Sequence, residues 1–181
     1  MSMTLIEHIE VGAGGANEIV LDNIPADYTD LMVVLSTRLS SSSTFVSLGM
    51  FINSAAADTS WRRLSGNGSS ASSGSATGAT DYLIGDVPDS SATSNTFANS
   101  YVYIPNYTSS NAKSISSDSV GENNATASNQ IIIAGLCSKT AAVTSLTFRS
   151  YGGSPTIDFV QYSSATLYGI TAGSDGTTVV S

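Results

Sequence analysis

Short apolar stretches separated by polar, glycine-rich turns recur along this chain, and several of them step with a period of two, the spacing that sends successive side chains to opposite faces of a strand. Residues 4–11 show it first, with Leu5, Glu7, Ile9 and Val11 set against Ile6, His8 and Glu10. The flexible run Gly12-Ala13-Gly14-Gly15 ends that strand, and a second short one follows over 18–21. Asn23-Ile24-Pro25-Ala26-Asp27 then supplies a turn, because proline presets one torsion and Asn or Asp bonds the local backbone. Residues 30–39 form the strongest core strand of the first half, where Val33-Val34 favours strand over helix. Residues 45–53 read as its hairpin partner across the serine tip at 40–43. Residues 55–58 have room for one helical turn.

The clearest strands lie between Phe97 and Leu136. Phe97, Tyr101, Tyr103 and Ile104 are aromatic or β-branched and stop at Pro105; residues 112–120 are small and polar with spaced apolar positions. Ile131-Ile132-Ile133 is a short apolar run of the kind found in strands covered on both faces. Together these three segments predict an antiparallel meander. Further strands are expected at 81–87, 142–150, 157–161 and 165–170. About ten short strands with no helix-period stripe predict an all-β fold, an antiparallel, jelly-roll-like β-sandwich. No constant-period repeat points to a propeller or solenoid.

A chain of 181 residues fits one such domain, expected over 1–170. Residues 66–80, almost all Gly, Ser, Ala and Thr, are expected to be an exposed flexible loop, because nothing in them buries enough surface to order them. Residues 171–181 read as a C-terminal tail or arm.

Composition changes the picture of the surface. Hydrophobic residues at 41% support a core, but charged residues are only 11%, against roughly 25% in an ordinary soluble domain. The surface is therefore Ser, Thr, Asn and Gly, which suits a protein covered by partners. The net charge of -8 arises with only six Lys and Arg, so direct nucleic-acid binding, which needs clustered bases, is disfavoured. No apolar run reaches the ~18 residues of a membrane span, and the N-terminus has no basic-then-apolar leader. Synthesis in a cytoplasm, with no membrane partner, is the expectation.

Candidate chemistry is sparse. His8 is the sole histidine and lies in an expected strand, and no G-x-S-x-G elbow is present. One His, one Cys and scattered Asp residues leave no metal-ligand pattern, and Gly12 to Gly15 lack the helix and lysine of a phosphate cradle. Neither catalysis nor a cofactor or metal is expected. Cys137 reads as a small buried hydrophobe, and Asp86 and Asp89 as turn caps. The one local concentration of aromatic and base is Trp61-Arg62-Arg63. These residues could stack on a sugar ring or a partner's aromatic side chain; alternatively, Trp61 covers one end of the core while the arginines pair with the scarce carboxylates.

Four stretches carry a family resemblance: Ile24-Pro25-x-x-Tyr28-x-Asp30-Leu31, Tyr103-Ile104-Pro105-Asn106-Tyr107, Glu122-Asn123-Asn124-Ala125 and Leu167-Tyr168-Gly169-Ile170. With them, nearly the whole chain to Ile170 resembles a recurrent domain in structural proteins of tailed double-stranded DNA bacteriophages. The resemblance implies a virion protein, in the first place a capsid decoration or cement protein. Such a protein would sit on the major capsid protein lattice as a homotrimer, on the outer surface of the virion. The alternative it implies is a tail-fibre or receptor-binding protein whose loops around Trp61 and the Ser-rich segment contact host surface glycans.

Overall fold

Every regular element among the described residues is a strand. The structure is a computed structural model that describes residues 2–53, 59–123, 125 and 127–172. The strands are β1 (Ser2–Glu10), β2 (Ile19–Leu21), β3 (Asp30–Thr37), β4 (Phe45–Ile52), β5 (Thr59–Gly66) and β6 (Ala71–Ala79). They continue with β7 (Tyr82–Pro88), β8 (Ala98–Ile104), β9 (Lys113–Glu122), β10 (Ser128–Cys137), β11 (Leu146–Ser150) and β12 (Ser164–Thr171). All pair antiparallel, in an eight-stranded sheet of order β1-β12-β3-β8-β9-β10-β5-β6 and a four-stranded sheet of order β2-β11-β4-β7. The expected all-β sandwich is present, with twelve strands instead of ten. The meander is present too, as β8-β9-β10 at the centre of the large sheet.

The core lies between the sheets. From the large sheet, Val33, Leu35, Val102, Ile104, Ile115, Ile131, Ile133 and Leu167 point inward; Leu48, Met50, Ile84, Leu146 and Phe148 meet them from the small one. Small residues let the layers approach closely where β7 crosses β9 and β10. A Cβ at Gly85 would stand 2.2 Å from Ser119 Cβ, and Ser117 Oγ donates to the Ile84 carbonyl at 3.0 Å. Beside them Tyr82 fills the space over Gly135, where a Cβ would stand 1.7 Å from the ring, and its hydroxyl donates to the Ile115 carbonyl at 3.0 Å.

The scarce bases are largely consumed by the scaffold. Buried Arg38 donates to the carbonyls of Asp89, Ala92, Thr93 and Thr96, which fixes the loop after β7. Lys113, 1% exposed, donates from Nζ to the carbonyls of Ser109, Asn111 and Thr140. Arg149 lies 3.8 Å over the Phe51 ring and 3.2 Å from Glu18. Because backbone carbonyls satisfy the first two, their burial leaves no donor stranded.

Much of the family-like sequence is also scaffold. Asp30 accepts the Tyr103 hydroxyl at 2.7 Å and the Asn106 amide at 2.8 Å, and the Tyr107 hydroxyl donates to the Pro25 carbonyl. The Tyr28 ring occupies the space a side chain on Gly169 would need. Asn123 Oδ1 accepts the amides of Ala125 and Ala127, closing the turn from β9 to β10. The stretches 24–31, 103–107 and 167–170, far apart in sequence, thus converge on the end of the large sheet where β3, β8 and β12 meet, and the Asn123 turn lies at the opposite end.

Four expectations are corrected. Residues 30–39 and 45–53 do not form a hairpin: β3 pairs with β12 and β8 in the large sheet, whereas β4 pairs with β11 and β7 in the small one. The serine segment between them crosses from one layer to the other, held by Ser90 and Ser91 amides that donate to the Ser41 and Ser43 carbonyls. Most of 66–80 is no loop, because Ala71–Ala79 is β6, paired along β5. Ladder hydrogen bonds between backbones hold it, and those are indifferent to composition. Ile131-Ile132-Ile133 is covered on one face only, with Ile132 49% exposed. Residues 157–161 form no strand; Phe159 instead plugs the core and makes single bridges to Ala16 and Leu39. The possible helical turn at 55–58 and most of the tail, 173–181, lie outside the described residues.

Candidate interaction surface

The small sheet covers the inner face of the large sheet except along β6, and among the described residues nothing covers the outer face. Alternation along β8 sends Val102 and Ile104 inward and Tyr101 and Tyr103 outward. On β9 it sends Ser117 and Ser119 inward and Ser116 and Asp118 outward. The register then builds rows of outward side chains across the strands. One row runs Val34, Tyr101, Asp118, Ile132, Leu64; the next runs Met32, Tyr103, Ser116, Ala134, Arg62.

Between the tyrosines on β8 and Arg62 and Leu64 on β5 these rows form a groove of about 540 Å³, floored by Ser116, Asp118, Ile132 and Ala134. Three strand-to-strand steps separate its walls, about 14 Å. The floor is low because Ser116 and Ala134, paired across β9 and β10, are small.

Both tyrosine rings are held at their phenol ends. Tyr103 donates to Asp30, and Tyr101 accepts from Asn99 Nδ2 at 3.3 Å. The carboxylate of Asp30 pushes the Tyr103 phenol above its ordinary pKa, because ionisation would lose that hydrogen bond and place a second negative charge beside the first. On the opposite wall, Arg62 Nη1 donates to the carbonyls of Trp61 and Ala76 at 2.9 and 3.2 Å, which lays its guanidinium over the β5-β6 backbone. Asp118 differs from all of these. It is partly buried in an otherwise apolar row and has no hydrogen-bond or ion-pair partner among the described residues.

The expected cluster Trp61-Arg62-Arg63 is divided by the strand period. Trp61 and Arg63 face inward: Trp61 donates to the Tyr151 hydroxyl at 3.2 Å and meets that ring edge-on, and Arg63 lies 3.7 Å from Asp86 on β7. Only Arg62 reaches the open face. Sequence reasoning missed Tyr101, Tyr103, Ser116 and Asp118 as a set; the signal was present, since each pair sits two residues apart on an alternating strand.

The other candidates are scattered. His8 is exposed on β1, with Nδ1 2.8 Å from Thr166 Oγ1. Cys137 is buried, in keeping with its reading as a small hydrophobe. Asp89 accepts the Ser90 amide at 2.8 Å and so caps a turn, whereas Asp86 lies within β7 and meets Arg63 and Ser47. Among the described residues no three metal-ligating side chains converge.

A second exposed apolar feature lies at the sheet edge. Among the described strands β1 is bonded to β12 alone, and Met3 and Leu5 on it are both more than half exposed. No family model, curated protein or solved structure matches the chain.

Proposed function

We propose that the chain is a structural protein of a bacteriophage virion that decorates the outside of the head and cements neighbouring capsid subunits. The observation that carries this reading is the β1 edge. A terminal strand with a row of backbone donors and acceptors that no described residue pairs, and two exposed apolar side chains, is a surface that proteins ordinarily cover. The neutral, hydroxyl-rich surface agrees, because it suits a subunit held in an assembly. The resemblance of residues 24–31, 103–107 and 167–170 to phage structural domains supplies the class of assembly.

Binding to the expanded shell but not to its alternative state stabilises that shell by mass action, and a homotrimer multiplies weak contacts through effective concentration. Immunogold labelling of purified virions tests the reading. Label in many copies over the head is expected; a few copies confined to the tail would replace decoration with the fibre assignment.

A further inference from the structure

We infer that the groove on the outer face of the large sheet is a binding site for a neutral saccharide. One wall is aromatic and preorganised: Tyr101 and Tyr103 stand about two-fifths exposed, each ring held by a hydrogen bond at its hydroxyl, so little rotamer freedom remains to be lost on binding. Such rings offer the flat apolar surface against which the C–H face of a pyranose packs. The floor is mainly apolar, with Ile132 and Ala134, and carries two polar groups, Ser116 and Asp118, for the sugar edge. The unpartnered Asp118 carboxylate accepts hydroxyl protons, and the Ser116 hydroxyl both donates and accepts. Arg62, already fixed over the β5-β6 backbone, and Leu64 close the far wall.

Other occupants fit less well. An extended peptide pairs with a sheet edge, where its backbone finds partners, whereas a sheet face offers it side chains alone. An apolar helix would bury the Asp118 charge without compensation. Nucleic acid needs clustered bases, and Arg62 is the one base lining the groove that faces outward. A saccharide supplies hydroxyl donors for the carboxylate and an apolar face for the rings in one molecule. The site does not depend on head decoration, since β12 and β3 lie between it and β1.

The test uses saturation-transfer and amide chemical-shift NMR on the full chain with neutral hexasaccharides of glucose, mannose, galactose and N-acetylglucosamine. At least one is expected to take up saturation and to shift the amides of Ser116 and Ala134. Tyr103→Ala and Asp118→Asn are each expected to weaken its binding about tenfold. Trp61→Phe, on the inner face, leaves it unchanged. Asp118→Asn is nearly isosteric on an open face, so retained amide dispersion separates lost binding from lost fold. Absence of transfer from all four sugars, shifts mapped away from the groove, undiminished binding by Asp118→Asn, or binding of an apolar or basic peptide in place of any sugar would each overturn the assignment.

Discussion

The two faces of the eight-stranded sheet are made by the same strands and differ only in which residue of each pair points where. The inner face carries Val33, Val102, Ile115, Ile131 and Ile133, all nearly inaccessible; the outer face carries Tyr101, Tyr103, Asp118, Ile132 and Leu64. Both are apolar enough to belong to a core, yet among the described residues only one has a second sheet against it. Hydrophobic character alone therefore does not say what is interior. The layer that arrives from elsewhere in the chain decides that.

Adjacent residues on β10 give the sharpest test. Ile133→Ala is expected to cost about 3 kcal/mol in chemical denaturation, because it opens a cavity between the sheets, whereas Ile132→Ala, half exposed, should cost less than about 1 kcal/mol. Equal losses would mean that the outer face is covered too.

Gly135→Ala probes the closeness of the layers. Its Cβ would overlap the Tyr82 ring, which cannot withdraw from a close-packed core, so a loss of about 2 kcal/mol is expected even though alanine normally improves on glycine in a strand.

A smaller effect comes from Tyr82 itself. Burial raises its phenol pKa above the ordinary 10.0. The folded state therefore keeps a proton that the unfolded state releases, and stability is full below pH 10 and declines as pH rises beyond it. Tyr82→Phe should cost about 1 kcal/mol at neutral pH through loss of the hydrogen bond to the Ile115 carbonyl. It should also flatten the alkaline decline, read as the denaturation midpoint across pH 8 to 11.

The smallest stability effect is expected at the groove. Asp118→Asn should leave the denaturation midpoint within about 0.5 kcal/mol of the parent, since it breaks no bond within the described residues. A large loss would show Asp118 to be a structural residue.

The errors at β3, β4 and β6 share a cause. β3 and β4 follow one another with a short serine connection, which satisfies every local condition for a hairpin, and a crossing between layers satisfies them equally. β6 offers no hydrophobic pattern because it is held by the ladder with β5 and by little burial. The site was half legible. Arg62 was singled out with two neighbours that the strand period turns inward, and the tyrosines were read only as strand-forming residues although they line an open wall.

Alternation, turn residues and the lack of any helical stripe were enough to determine an all-β sandwich containing the β8-β9-β10 meander, because side-chain period and turn chemistry act over a few residues. Tertiary structure alone decided which strands share a sheet, that Arg38 and Lys113 serve backbone carbonyls, and that Tyr101, Tyr103, Asp118 and Arg62 meet across one groove. Those outcomes depend on register between strands tens of residues apart and on which face a second layer covers. Both are set by burial summed over the whole sheet, and no local window contains that sum.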